Sequence, residues 1–366
     1  MGLPVVADPP LPALLLRWLG PVLGGPLPAE PNATCSSCAM APAEGQAYRP
    51  GGVSFDPQLK CCTFVPSLPN FAVGAALMGA AEGRRRVEAR LAGGAGVSPL
   101  GLEPTEREAL LAREGRAGFG HARALRCPFL DDAGGCSIWA HRNAVCATWF
   151  CRHARGQVGR RLWRAVKLYL SAAERAVALH CAMTLDVGDA ALASLVEPMP
   201  STPRPLAAHE LDERALAESA RALWGRWYGR EAAFFRAAAE EAAGVDAGRL
   251  GALGGVALAA RARALRAAWA GAEDDAPPSR TRLGSLRIHS FAGGVVTVEG
   301  YSDYDAMDVP EALLAVLPYF DGAGVDEARA RCLAELGIEV TPALVRRLCD
   351  FGILDAADEE RAAASP

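Results

Sequence analysis

Lysine is almost absent from this sequence, and arginine supplies nearly all of its positive charge. The formal net charge of the 366 residues is −4, so no excess of positive charge argues for nucleic-acid binding. No apolar run reaches the roughly 18 residues that a membrane-spanning helix needs. Glycine-rich stretches lack the lysine and hydroxyl pair of a phosphate loop, and no order of Ser, His and Asp indicates a hydrolase.

One apolar stretch near the start, from Pro12 to Gly25, is too short to cross a bilayer and is interrupted by Arg17 and Pro21. No basic segment precedes it, so it lacks the pattern of a secretory signal. We predict a short helix that packs on the body of the protein, with an interfacial anchor as the alternative. Together these absences favour a soluble protein of a reducing, cytoplasmic compartment.

Cysteine is what the sequence has in abundance, and eight of its 11 cysteines lie between residues 35 and 151 in loops rich in glycine and proline. They are Cys35, Cys38, Cys61, Cys62, Cys127, Cys136, Cys146 and Cys151. In a reducing compartment, clustered thiols favour metal binding over disulfides. Zinc and iron–sulfur clusters are each typically held by four thiolates. Eight thiols would therefore supply two such sites, or one site and a redox pair.

The spacing of these cysteines resembles the zinc- or iron-chelating cysteine-cluster family of the YkgJ type, which is known by the pattern CxxCxxCC. The resemblance covers about residues 31 to 185, and rests on Cys35-x-x-Cys38, Cys61-Cys62 and the block from Cys127-Pro-Phe-Leu through His-Arg to Cys146. Trp139 and Asn143 replace the usual Tyr and Pro, and the upstream motif is split between Cys38 and Cys61. The resemblance implies metal binding without fixing a reaction. Flagellin lysine-N-methylases carry a similar cluster, so methyl transfer is one activity that is compatible with the resemblance.

We predict an iron–sulfur cluster as the first choice of cofactor and zinc as the second. The upstream and downstream thiols are expected to meet in space, because the upstream loops hold too few thiols to fill separate four-ligand sites. His141 and His153 could complete a coordination sphere, although a hydrogen bond from outside the ligand set is favoured for both. Cys181, Cys332 and Cys349 lie on predicted helices among Ala and Leu, where buried structural cysteines are expected.

The predicted fold class is mainly α, with a cysteine-rich metal-binding helical domain and a small C-terminal α+β winged-helix-like module. The predicted segments are a proline-rich N-terminal stretch (1–33), the cysteine-cluster domain (34–185), a helical extension (186–275) and the module (280–366). Apolar spacing predicts helices at about 71–91, 104–116, 156–185, 212–228, 230–243 and 249–271. Gly293-Gly294 predicts a hairpin, and three short helices are expected at 309–320, 325–336 and 341–351.

These features favour a metal protein that modifies or serves a protein partner, and whether it is an enzyme stays open. The alternatives are a non-catalytic binding protein stapled by metal, and a thiol-based redox or metal-handling protein. The module carries more acidic than basic residues, so a protein or peptide partner is expected rather than DNA. The dense arginines of residues 152–175 could bind an acidic ligand, a cofactor or nucleic acid, but a solvated helix face is favoured.

Overall fold

The computed structural model describes residues 11–30, 38–42, 45–49, 53–114, 118–196 and 213–357. Cys35 lies outside these ranges, as do the proline-rich turn predicted at 199–205 and the acidic residues at 358–360. The described chain is mainly helical with short strands. None of the helices in these ranges is long and apolar enough to cross a membrane.

The body of the protein, up to residue 273, is built from helices and one small sheet. Its helices are α1 (Ala13–Leu19), α2 (Asn70–Met78), α3 (Ala81–Gly93), α4 (Glu106–Glu114), α5 (Ala144–Ala147), α6 (Gly156–Thr184), α7 (Asp189–Val196), α8 (Glu213–Trp224), α9 (Glu231–Ala243) and α10 (Ala247–Glu273). Strands β1 (Leu68–Pro69), β2 (Val97–Ser98) and β3 (Gly101–Leu102) pair antiparallel in the order β1-β3-β2.

The long helix α6 forms the centre of the body. Leu162, Val166 and Leu170 recur every fourth residue and are buried, which gives the helix one apolar face. Helix α10 packs along α6, and α2 packs along α9. Helix α1 adds Trp18 to the same core, and the Trp18 indole donates to the Val245 carbonyl at 3.0 Å. The predictions of a long helix after the cysteines and of a short N-terminal helix packed on the body are confirmed.

Two adjacent predictions had different outcomes. A single helix over 71–91 is wrong, because Gly79 is extended and separates α2 from α3. The predicted start of α4 is confirmed by reciprocal capping: the Glu108 amide donates to Thr105 Oγ1 at 3.2 Å, and the Thr105 amide donates to Glu108 Oε2 at 2.7 Å. The capping residues of α4 can thus be recognised in the sequence. At Gly79, by contrast, a β-carbon would lie 2.9 Å from His141 Nε2, a long-range contact that no local pattern marks.

The C-terminal module has its own buried cluster, which includes Val296, Phe320, Val345 and Leu354. Its elements are β4 (Thr281–Leu283), β5 (Arg287–Ala292), β6 (Val295–Glu299), β7 (Met307–Pro310), α11 (Ala312–Val316), α12 (Val325–Leu336), α13 (Pro342–Asp350) and β8 (Leu354–Ala356). Strands β5, β6 and β7 form an antiparallel sheet, and β4 pairs with β8. The predicted hairpin is confirmed. The predicted helix start at Val309 is wrong, because Val309 pairs with Val296 in β7.

The module is joined to the body by a polar junction at the start of α6. Arg155 donates to Asp350 Oδ2 at 2.5 Å and to Asp275 Oδ1 at 2.7 Å, and Arg346 donates to Asp350 Oδ1 at 2.9 Å. Gly156 has a φ of +50°, and a β-carbon built there would lie 2.3 Å from the Asp350 carbonyl oxygen. Only glycine permits this approach. The module therefore packs against the segment that follows the last cysteine of the cluster.

Candidate metal centre

The cysteines of the two halves of the cluster line one cavity. Its volume is about 360 Å³. Seven of the eight predicted ligands are in its lining, namely Cys38, Cys61, Cys62, Cys127, Cys136, Cys146 and Cys151. The expectation that the upstream and downstream thiols meet in space is confirmed for these seven.

A backbone hydrogen bond joins the two halves directly. The Cys127 amide donates to the Cys62 carbonyl at 2.7 Å. Upstream, Leu59 and Lys60 donate their amides to the Asp56 carbonyl, and the turn so formed presents Cys61 and Cys62 to the cavity. The Lys60 ammonium then donates to the Gly134 carbonyl at 2.9 Å, which ties this turn to the loop before Cys136. Residues far apart in sequence are therefore held at one site by a main-chain bond and by a lysine side chain, and neither contact is marked by a local sequence pattern.

The loops that carry the downstream thiols are fixed by short-range hydrogen bonds. Asp131 Oδ1 accepts from the Gly135 amide at 2.8 Å, which closes the turn before Cys136. Asn143 caps α5 by accepting from the Cys146 amide at 2.9 Å. The Asn143 amide group also donates to the Ser67 carbonyl at 2.8 Å, so the cap reaches the upstream segment as well. Asn143 therefore orients Cys146 and ties it to the upstream segment.

Electrostatic interactions among the thiols define two overlapping groups. The first contains Cys61, Cys127, Cys136 and Cys146. The second contains Cys61, Cys38 and Cys151. Cys61 belongs to both, and its neighbour Cys62 hydrogen-bonds to it. The first group has the number of thiols that zinc and iron–sulfur sites use.

The thiols differ in how readily they lose a proton. Burial raises the pKa of Cys127 and of Cys151 to about 12, and it raises the pKa of Cys146 well above its usual value. Cys61 differs because a hydrogen bond from Cys62, together with the charges of Arg142 and Lys60, lowers its pKa to about 7. Without a metal, most of these thiols are therefore neutral at neutral pH. Metal binding would displace their protons, so metal affinity should increase with pH.

Cationic and aromatic side chains complete the cavity wall. Lys60, Arg142 and Arg152 line it, and the guanidinium of Arg142 lies 3.3 Å from the ring centroid of Trp139. Arg142 Nε also donates to the Trp139 carbonyl at 3.1 Å, which fixes the position of that charge. Positive charge beside several thiols favours their thiolate forms. A cation–π contact between Arg142 and Trp139 is thus part of the wall of the cavity.

The donor types fit a thiophilic metal. Among the described residues, the lining of this cavity contains neither carboxylates nor imidazoles, so hard cations such as Mg²⁺ and Ca²⁺ would lack their usual side-chain ligands there. Soft thiolate ligands suit zinc and iron–sulfur clusters. Among the residues that the structure describes, no group of three or more Cys, His, Asp or Glu side chains is already placed as a metal-holding group. Binding would require the side chains around the cavity to turn towards the metal.

The two candidate histidines lie outside the lining of this cavity. Burial lowers the pKa of His141, whose ring lies beside Gly79. His153 is buried, and its Nδ1 lies 3.2 Å from the Tyr301 hydroxyl. Burial and the charge of Arg160 lower the pKa of His153 to about 4, so this imidazole is neutral at neutral pH. His153 thus makes a side-chain hydrogen bond outside the cavity, as the favoured sequence interpretation expects.

The other three cysteines lie away from the cavity. Cys181 and Cys332 are fully buried, and the Cys181 thiol donates to the Ala238 carbonyl at 3.5 Å. Cys349 is half-buried on α13. The prediction of buried structural cysteines is confirmed for Cys181 and Cys332, and it overstates the burial of Cys349.

The arginines that follow the cluster have a structural role that the sequence interpretation did not assign. Arg152 donates to the Tyr304 carbonyl at 3.2 Å, and Arg160 donates to the Tyr301 carbonyl at 3.0 Å. With Arg155 they connect the start of α6 to the C-terminal module. The predicted solvated face is seen at Arg161 and Arg164, which are exposed. The density of arginine is therefore explained in part by the junction.

Sequence reasoning also missed two buried carboxyls near the site. Glu30 Oε2 accepts from the Ala154 amide at 2.6 Å, and its Oε1 accepts from the Trp163 indole at 2.7 Å. Burial raises the pKa of Glu30 to about 7. Glu174, fully buried in α6, accepts from the Ala144 amide at 2.8 Å and so holds the start of the helix that carries Cys146. Nothing local in sequence marks either residue, because each partner is remote along the chain.

Glu174 makes the stability of the fold depend on pH. Burial raises the pKa of this carboxyl to about 8 from its ordinary 4.5. Between these two values the folded protein keeps a proton on Glu174 that the unfolded chain has lost. The contribution of Glu174 to the free energy of unfolding is therefore complete below pH 4.5 and is lost as the pH rises through 8. We expect Glu174→Gln to reduce the fall in urea midpoint between about pH 5 and about pH 9. An equal fall in wild type and variant would contradict this, and the exposed Glu240→Gln is the control.

Comparison with known proteins adds no assignment. The chain matches no family model, no curated protein and no solved structure.

Proposed function

We propose that this protein binds an iron–sulfur cluster, or zinc, through the thiols of its cysteine cavity, and that it modifies or serves a protein partner in the cytoplasm. The observation that carries the proposal is the convergence of seven predicted ligand thiols on one cavity that contains no carboxylate or imidazole in its described lining. The resemblance of residues 31–185 to the YkgJ-type family supports it, and membership of that family is part of the proposal.

The first thiol group is the best candidate for the ligand set, with Cys62 as the neighbour that could take the place of Cys61. An iron–sulfur cluster would supply one-electron transfer, whereas zinc would hold the loops together. Arg142 and Lys60 would offset the negative charge that four thiolates bring to the site. The rings of Phe129 and Phe150 line the same cavity and would limit the access of water to the metal.

The partner is proposed to be a protein or peptide that contacts the winged-helix-like module at 280–366. The acidic balance of the module supports this choice over DNA. The contacts between the module and the body support a structural role as well, because Asp350 accepts from Arg155 and the Tyr301 carbonyl accepts from Arg160. A metal protein whose module only packs on the body would be the non-catalytic alternative.

A second candidate, a thiol-based redox or metal-handling protein, is favoured by one observation. Cys61 accepts a hydrogen bond from the adjacent Cys62, and its pKa of about 7 leaves much of it as thiolate at neutral pH. A thiolate beside a second thiol is suited to reversible chemistry. Such a protein would be isolated without metal and would react with an alkylating reagent first at Cys61.

The test is anaerobic purification followed by analysis of iron, zinc and acid-labile sulfide. Iron and sulfide in comparable amounts, with a visible absorption band, would support an iron–sulfur cluster, since zinc is colourless. Stoichiometric zinc without sulfide would support the second choice. Absence of all three after anaerobic reconstitution with iron and sulfide, and again with Zn²⁺, would overturn the proposal.

A further inference from the structure

The segment that follows Cys151 is held by hydrogen bonds at four consecutive residues. Arg152 donates to the Tyr304 carbonyl, the His153 amide donates to Asp305 Oδ2 at 3.0 Å, and Arg155 donates to Asp350. The Ala154 amide donates to Glu30 instead. Three of the four bonds therefore come from the C-terminal module. A segment bonded at each residue has little freedom to move independently of that module.

The acceptors in the module are themselves fixed. The Tyr301 hydroxyl donates to Asp305 Oδ2 and therefore accepts from His153 Nδ1. Asp305 is 8 % exposed and Asp350 is 4 % exposed, so neither carboxylate can exchange its partners freely with water. Removing one partner of a buried, charged hydrogen bond costs more folding free energy than removing one partner of an exposed bond. The module thus presents two rigid acceptors to the segment beside Cys151.

A second connection runs through aromatic rings. Tyr304 of the module packs edge-on against Phe55 with ring centroids 5.7 Å apart, and Phe55 packs against Phe119 at 5.3 Å. Phe119 in turn packs against Trp149 at 5.3 Å. Phe119 and Trp149 both line the cysteine cavity. The module is therefore linked to the cavity wall through these rings as well as through the hydrogen bonds to the segment after Cys151.

Arg152 also links two cavities. It lines the cysteine cavity, and it lines a second cavity of about 750 Å³ whose other walls include Asp305, Val309 and Phe351. Displacement of the module away from α6 would therefore alter both cavities at this residue. A movement of the residues around the cysteine cavity would likewise shift Arg152 and so alter its contact with the module.

We propose that Asp305 and Asp350 are positioning residues for the metal centre: they fix the segment after Cys151, which lines the same cavity as the four cysteines of the first thiol group, so that metal binding and docking of the module stabilise each other. This inference rests on the proposed function. Because coupling between two binding events is reciprocal, weakening the docking contacts lowers metal affinity, and bound metal protects the junction between module and body. The module is then a part of the metal site rather than an appendage.

The test measures Zn²⁺ affinity of the full-length protein by competition with a coloured chelator. Asp305→Asn and Asp350→Asn should each weaken binding roughly tenfold, within the range seen when groups outside the ligand set are changed. With Co²⁺ as the probe, both variants should also show an altered thiolate-to-metal charge-transfer spectrum. Arg331→Gln is the matched control, because Arg331 pairs with Glu335 on the exposed side of the module.

Protease cleavage near Pro277-Pro278 gives a second readout. Zn²⁺ should slow this cleavage in wild type and should have less effect in the two variants. Tyr301→Phe removes only one hydroxyl and should lower Zn²⁺ affinity less than the aspartate variants do. It therefore tests the coupling if the aspartate variants do not fold. If the folded variants keep the wild-type Zn²⁺ affinity, Co²⁺ spectrum and protection from protease, the inference is overturned while the proposed function stands. Failure of wild type to bind any metal would overturn both.

Discussion

Cys127→Ser is expected to abolish most metal binding and to lower the stability of the body. Cys127 is 8 % exposed and lies in the first thiol group, where its amide also bonds to Cys62. A serine hydroxyl is not deprotonated at neutral pH and is a poor ligand for thiophilic metals. The binding free energy of a structural metal is also folding free energy, so the loss should appear in both quantities. The measurements are metal content after anaerobic purification and the urea midpoint.

Cys181→Ser is the matched control, because Cys181 is equally enclosed in the body but lies outside the cavity. It should reduce stability without changing metal content. Cys136→Ser should behave like Cys127→Ser, since Cys136 belongs to the same thiol group. Wild-type metal content in both the Cys127 and the Cys136 variants would contradict the ligand assignment.

Gly74→Ala should strongly destabilise the core of the body. A β-carbon built at Gly74 would lie 1.8 Å from the Phe235 carbonyl oxygen, so α2 and α9 would have to move apart. Overpacking of this kind typically costs about 1–3 kcal/mol and occasionally more, and a backbone clash this severe belongs at the upper end. Because Leu68, just before α2, lines the cysteine cavity, metal affinity should fall as well. Denaturant unfolding and metal titration measure the two effects.

Gly251→Ala in α10 provides the comparison, since nothing lies within 4 Å of a β-carbon built there. Replacing an unhindered helical glycine with alanine should stabilise the protein by about 0.4–1 kcal/mol. Equal stability changes at positions 74 and 251 would show that helix propensity, rather than the contact between α2 and α9, determines the result.

Elements with a strong local pattern were predictable from sequence. Helix α6 carries an apolar residue on every turn, and the hairpin of β5 and β6 has glycines at Gly293 and Gly294 with positive φ. Thr105 and Glu108 cap α4 with their own side chains. In each case the residues that determine the structure are neighbours along the chain.

Features set by distant residues were not predictable. Strand β7 contains Val309 and Pro310, whose sequence is typical of a helix start. In the structure they pair with β6 instead. Glu30 carries no local signal, and Asp350 shows only its pairing with Arg346, because their partners Ala154 and Arg155 are remote in sequence. The cysteines themselves were found from composition and spacing. Their arrangement around one cavity depends on bonds such as that from Cys127 to Cys62, which any residue type could make.

The central claim, that thiols of the cysteine cavity hold a metal, is tested most directly by X-ray absorption at the metal edge of the anaerobically purified protein. The account predicts a first shell of about four sulfur atoms, at roughly 2.3 Å if the metal is zinc. That shell should lose sulfur in Cys127→Ser and keep it in Cys181→Ser. A first shell of oxygen and nitrogen alone, or a sulfur shell unaffected by Cys127→Ser, would contradict it.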